Sequence, residues 1–195
     1  MATTINSNTT DGIIITPDLS GEIKLQSDGT DIATVTSSGI TMASGKSVSG
    51  GEIIQNAGPT FSAKLSTDPQ TITTRTWTKV QCGTEQFDTN SDYDSTTNYR
   101  FTPSVEGYYQ INGIVRATGT SQDTYYVSIY KNGSAYTHVN SRTATSGSQS
   151  LSISAVIYLN GSTDYVELYG WLEATSPQFE SATVTTFSGH LARAV

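Results

Sequence analysis

Apolar and polar positions alternate with period two through much of residues 59–195. Tyr125, Val127 and Ile129 fall on one side of a predicted strand. Leu151, Ile153, Ala155, Ile157 and Leu159 fall on one side of another, with Ser152 and Ser154 opposite. Tyr165, Glu167, Tyr169 and Trp171 alternate with Val166, Leu168 and Leu172. Further strands are predicted over Trp77–Cys82 and Val184–Leu191. Asn132-Gly133 and Asn160-Gly161 stand between such runs as expected hairpin turns, because Asn and Gly tolerate positive φ. Short strands without a helical period predict an all-β sandwich or jelly roll.

The 151–159 strand carries a second signal. Its other face reads Ser152, Ser154, Val156, Tyr158 and turns apolar halfway along. The outer face of a two-sheet sandwich is ordinarily polar. Val156 and Tyr158 are therefore candidates for a subunit interface, the alternative being a strand covered by a loop.

The pattern weakens before residue 59. Residues 1–58 hold no Trp, Tyr or Phe. Short β-like pieces are predicted at 13–16, 22–26, 32–36, 40–42 and 52–55, punctuated by Ser27-Asp28-Gly29 and Ser37-Ser38-Gly39. So few large apolar side chains do not offset the entropy of ordering the segment alone. It is expected to become ordered against copies of itself or a larger assembly, as a shaft or anchor. The division expected is thus 1–58 and 59–195.

Composition narrows the function. Charged residues are 14% of the 195 and hydrophobic residues 35%, with Ser and Thr filling the gap. A net charge of −7 and no Lys/Arg cluster exclude a nucleic-acid backbone as partner. No run reaches the roughly 18 apolar residues of a membrane span, so no membrane insertion is expected. The first residues have neither a basic nor an apolar leader region, so no secretory signal is expected. Cys82 is the only cysteine, which excludes an intrachain disulfide.

Several blocks resemble the C1q/TNF-like family. Phe61-Ser62-Ala63-Lys64-Leu65 resembles its opening strand. Tyr93-Asp94, Phe101-Thr102-Pro103 and Glu106-Gly107-Tyr108-Tyr109 are similar to its "Y-D…F-T-x-P…G-x-Y" signature. Ile129 to Gly133 matches its "L-Y-K-N-G" hairpin, and Phe187-Ser188-Gly189-His190-Leu191 resembles its closing "F-S-G-F-L" strand. Two places depart from the pattern. Asn160-Gly161-Ser162-Thr163-Asp164 replaces the usual "G-D", and His190 replaces an aromatic. The segments Gly21–Thr30 and Ser38–Met42 resemble virion fibre proteins of tailed phages, particularly marine and cyanobacterial ones. The resemblances imply an all-β C1q/TNF-like jelly-roll knob behind an extended N-terminal β shaft, assembled as a homotrimer.

Candidate chemistry is sparse. His138 and His190 fall in different predicted strands, with no metal-ligand or nucleophile–base spacing. Asp88-Thr89-Asn90-Ser91-Asp92 resembles the start of a calcium loop, but the positions that an EF-hand gives to Gly and Glu are Tyr93 and Tyr99. An acidic turn is the expectation, with a loosely held Ca²⁺ as the alternative; no other cofactor is expected. Glycoside hydrolysis needs two carboxylates about 5–9 Å apart. Glu167 with Glu173, or Asp123 with Glu180, could be proposed, but nothing in their spacing singles them out. No enzyme is expected.

If each connection reverses the chain, the loops 117–123, 143–149 and 173–181 share the end opposite the two Asn-Gly turns. Loops on a rigid scaffold are the usual binding surface. The candidate receptor-facing residues are therefore Gln122, Asp123, Thr145, Ser148, Gln149, Ser176, Gln178 and Phe179. The function expected is a virion structural protein assembled in a host cytoplasm. A second virion protein would hold its N-terminus, and its knob would bind a host surface glycan or protein. The alternatives are a capsid head fibre or decoration protein, a C1q-like lectin or adhesin of cellular origin, and a depolymerase.

Overall fold

The computed structural model describes residues 22–46, 58–142 and 147–195. Every regular element among them is a strand. The chain divides into two units between Ile54 and Gln55, near the shift in composition.

In the first unit, β1 (Ile23–Ser27), β2 (Thr30–Thr36) and β3 (Gly39–Met42) form an antiparallel meander. Asp28 and Gly29, at φ 51° and 69°, make the two-residue turn between the first two. The pieces predicted at 13–16 and 52–55 lie outside the described residues. Within the meander only Ala33 is buried, while Leu25 and Ile40 are 49% and 69% exposed. These strands form a ladder without forming a core.

The second unit is a two-sheet jelly-roll sandwich. Its strands are β4 (Thr60–Lys64), β5 (Gln70–Thr71), β6 (Thr78–Lys79), β7 (Thr84–Asp88), β8 (Tyr93–Asp94), β9 (Arg100–Phe101), β10 (Glu106–Thr120), β11 (Thr124–Lys131), β12 (Ser134–Arg142), β13 (Gln149–Asn160), β14 (Val166–Leu172), β15 (Thr175–Glu180) and β16 (Thr186–Ala194). The first sheet is built on the 15-residue β10. β13 pairs with it from Glu106 to Ala117. β15 and β16 pair with it one after the other, over Arg116–Thr120 and Gly107–Ile114. β4 then pairs with β16, β7 with β4, and β5 with β15. The second sheet runs β12-β11-β14-β9-β8, with β6 also on β14.

The core lies between the sheets, where the predicted alternation points. Tyr125, Val127, Ile129, Ile153, Ile157, Leu159, Val166, Leu168 and Leu172 are all buried. Phe61 stacks on Tyr93 and Phe101 at 4.8 and 4.4 Å between ring centroids and meets Phe187 edge-on at 5.1 Å. Each buried tyrosine hydroxyl finds a carbonyl: Tyr93 donates to Cys82 and Tyr125 to Val115, both at 2.8 Å, and Tyr109 to Val105 at 2.6 Å. Where two residues approach too closely for a side chain, glycine stands. A Cβ on Gly113 would overlap Leu168, and one on Gly170 would overlap the Phe179 ring.

Three sequence expectations are corrected. Asn132-Gly133 is the tight turn between β11 and β12, with φ of 52° and 76°. Asn160-Gly161 is not a hairpin, because β13 belongs to the first sheet and β14 to the second. It begins a crossing between sheets, in which the Asn160 Oδ1 accepts the N–H groups of Ser162, Thr163 and Asp164. Trp77–Cys82 contributes only the two-residue β6. Finally, two expected loops are largely strand. Residues 117–120 complete β10 and 175–180 form β15, and the two zip together with Ala117 opposite Phe179 and Thr118 opposite Gln178. Their Ser, Thr and Gln composition suits a polar strand as well as a loop.

Candidate binding faces

The expected receptor-facing residues do not converge. Phe179 is fully buried, its ring filling the space left by Gly170 of β14, so it is a core residue and not a surface contact. Gln122 is 3% exposed and clasps two segments. Its Nε2 donates to the carbonyls of Gly119 and Gly147, and its Oε1 accepts from the Gln149 Nε2 at 2.7 Å. That removes Gln122 as a surface contact and commits the Gln149 amide. Ser148 is exposed and donates to Glu180. Ser176 and Gln178 lie on β15, exposed and half-buried. Thr145 lies outside the described residues. Asp123 is half-exposed and holds Arg142 at 2.9 Å.

The solvent face of the first sheet carries an apolar strip. Val156 and Tyr158 of β13 point outward, 55% and 37% exposed. Opposite them in register lie Gln110 and Tyr108 of β10. Tyr108 is also exposed, and its ring meets Tyr158 edge-on at 5.6 Å. The Tyr158 hydroxyl donates to Glu106, which raises its pKa above the ordinary tyrosine value, while the Lys131 ammonium stands 5.6 Å from its ring. Next to the strip the face turns polar, where the Gln110 amide donates to Ser154 at 2.7 Å, and farther along β10 Ile114 is again exposed. His190 of β16 lies exposed on this same face, opposite Gln110.

The solvent face of the second sheet is aromatic. Tyr126 of β11 lies opposite Trp171 of β14, their ring centroids 5.3 Å apart. Trp77 approaches Tyr126 and Tyr130 at 5.9 and 6.0 Å, and Tyr130 stacks on Tyr169 at 4.0 Å. His138 of β12 meets the edge of Tyr126. Lys79 of β6 pairs with Glu167 at 2.5 Å, and the Arg100 guanidinium lies 4.3 Å from the Tyr165 ring. Burial pushes the Tyr169 hydroxyl up to about 12, so this phenol stays a neutral donor across ordinary pH.

One end of this face opens into a polar cleft of about 240 Å³, lined by Thr74, Arg75, Ser121, Glu173, Ala174 and Thr175. Arg75 pairs with Glu173, and Arg142 with Asp123. The hydrogen bond from Arg142 holds Asp123 below the usual carboxylate value, and Glu173 raises Arg75. Backbone bonds hold three of the four: Arg75 N–H donates to Leu172, Asp123 N–H to Glu173, and Glu173 N–H to Thr124. Arg75 and Ser121 both hold positive φ, 56° and 52°, a conformation that costs energy in a non-glycine residue.

Residues 60–192 match the C1q domain. The chain belongs to the C1q family. Among solved structures, the C1q domain is similar to the globular domain of zebrafish complement 1qA protein, at 18% identity and a TM-score of 0.53, covering 70% of this chain and 99% of that one. It is also similar to murine APRIL (9% identity, TM-score 0.54, 68% and 97% covered) and to Eiger TNF from S. frugiperda (9% identity, TM-score 0.52, 72% and 96% covered). A comparison with curated proteins yields no match.

Both faces lie within the C1q domain, and its remaining chemistry is spent internally. Cys82 is fully buried, and desolvation pushes its thiol up to about 12. In the acidic turn, Asp88 accepts from the N–H groups of Asn90 and Tyr93, and Asp92 from the N–H and hydroxyl of Ser104. Among the described residues no three metal-ligating side chains gather. Of the acid pairs considered, Glu167 is buried against Lys79, while Glu173, Asp123 and Glu180 each hold an arginine. The aromatic face went unread in the sequence, although its signal was present. Tyr165, Glu167, Tyr169 and Trp171 alternate with smaller apolar residues, and only the fold assigns Val166, Leu168 and Leu172 to the core.

Proposed function

We propose that this chain is a non-enzymatic, homotrimeric fibre protein of a phage virion. Residues 1–58 form its shaft and hold a second virion protein, and the C1q domain forms a knob that contacts a host surface. One observation carries the trimer: the exposed strip of Tyr108, Val156 and Tyr158 on the first sheet, in a family whose members are typically trimers. An exposed apolar patch on a rigid sheet ordinarily marks an interaction surface. The β1–β3 meander agrees with a shaft, since Leu25 and Ile40 await cover that copies of the same segment would supply. The virion assignment rests on the fibre-like sequence of residues 21–42.

Analytical ultracentrifugation of the full chain, with immunogold labelling of purified particles, tests this proposal. A trimer in solution and label on the particle support it. A monomer at micromolar concentration, or particles without label, overturns it. Label on the capsid in place of the tail assigns a head fibre.

A further inference from the structure

We propose that the aromatic face of the second sheet and its adjoining cleft form a binding site for a neutral polysaccharide. The proposal deepens the knob function above by naming a ligand class and a place. Sugar rings present a polar rim of hydroxyls and a weakly apolar C–H face. A site for them needs flat aromatic surface together with hydrogen-bonding groups of both kinds. Trp77 and Trp171 flank Tyr126 at 5.9 and 5.3 Å, tilted 56° and 83° to it, so each ring offers its own face; the register of β11 and β14 sets Tyr126 opposite Trp171. Trp77 is exposed while Tyr126 and Trp171 are half-buried, and rings already packed on one another lose little side-chain freedom when a ligand covers them.

The cleft supplies the rest. Arg75 is a donor and Glu173 an acceptor, and the Arg142–Asp123 pair stands beside them. The four charges cancel, and backbone bonds brace Arg75, Glu173 and Asp123. This balance decides the ligand. A hydroxyl both donates and accepts, so it satisfies arginine and carboxylate alike. An acidic sugar gains no net attraction here, because any arginine it approached would have to be taken from the carboxylate that already holds it. The cleft follows the aromatic row at the same end of the sheet. A chain of sugars can therefore place one unit among the charges and the next units on the rings.

Both tryptophans of the protein, Trp77 and Trp171, lie on this face, so its own emission reports occupancy. The full-length chain is titrated with soluble α- and β-glucans, mannans and galactans. Alginate and polygalacturonate serve as acidic controls, and native electrophoresis through gels containing each polymer supplies a second readout. At least one neutral polymer is expected to shift the emission saturably and retard the protein. Trp77→Ala is expected to weaken that binding about tenfold or more, with Trp171 remaining as reporter. Glu173→Gln keeps the local shape, removes the cleft's own acceptor charge and is expected to weaken binding severalfold. No response to any neutral polymer overturns the site, as does binding of the acidic polymers alone. A change in oligomeric size in Trp77→Ala would make the face an interface between copies and overturn it too. A trimer that labels particles yet binds no neutral polymer sinks this site and leaves the fibre assignment standing. A monomer that binds does the reverse.

Discussion

Two residues show how a side chain's role depends on what faces it. Phe179 sits in a segment of Ser, Pro, Gln and Glu that suggests a surface loop. Its meaning comes from Gly170, an element away, whose missing side chain leaves a slot that only a flat ring fills. Phe179→Ala is therefore expected to lower stability by about 3–5 kcal/mol, read as a fall in the denaturant midpoint. Gly170→Ala approaches the same contact from the other side and is expected to cost about 1–3 kcal/mol through overpacking. That pairing could not be found in one sequence, because no periodicity links positions 170 and 179 across two sheets.

Asp94 gives the clearest effect of pH at this scale. Its carboxylate accepts the N–H groups of Thr96, Thr97 and Asn98 and the amide of Asn98, and these bonds hold its pKa well below the ordinary 3.8. The folded value is the lower one, so the ionised group's contribution is complete above the unfolded value. It is lost as pH falls from about 4 through the folded value. Melting temperature measured from about pH 5 to pH 2 is expected to fall less steeply in Asp94→Asn than in the parent. At neutral pH the variant is expected to be less stable by about 1 kcal/mol.

At the scale of elements, strands whose inward residues are Val, Ile and Leu were legible as written. Leu151–Leu159 and Tyr125–Ile129 lie where their alternation placed them. Turn chemistry was only half informative. Asn132 and Asn160 both begin turns, but nothing local tells which sheet the next strand joins. The outward side of β13 was legible because Val156 and Tyr158 break its polar row. Tyr108 on the neighbouring β10 was not singled out, since Gly107-Tyr108-Tyr109 alternates too briefly to separate its faces. Val156→Lys would place a charge in the middle of the exposed strip. Sedimentation is expected to show a smaller species for this variant than for the parent at the same concentration, with its strand content by circular dichroism unchanged.

For the whole molecule, the C1q sandwich accounts for nearly all of the burial found among the described residues. The buried cysteine offers a probe of that unit as a whole. Cys82 is covered on all sides and its thiolate is disfavoured by burial. Ellman's reagent is expected to leave it unmodified in buffer at pH 8 and to titrate one thiol per chain in denaturant. Rapid labelling without denaturant would contradict the packing around Tyr93 and Val80.

The place of β16 sets an order of events during synthesis. This strand comes after all the others of the sandwich, yet it lies between β10 and β4 and joins them. Until residue 194 has left the ribosome, the first sheet is split into two parts with nothing between them. Closure is therefore delayed until translation of the sandwich is finished, and the nascent chain must be kept from premature pairing until then. A ribosome stalled near residue 185 would carry a polypeptide with nearly every core residue present but no means to enclose them.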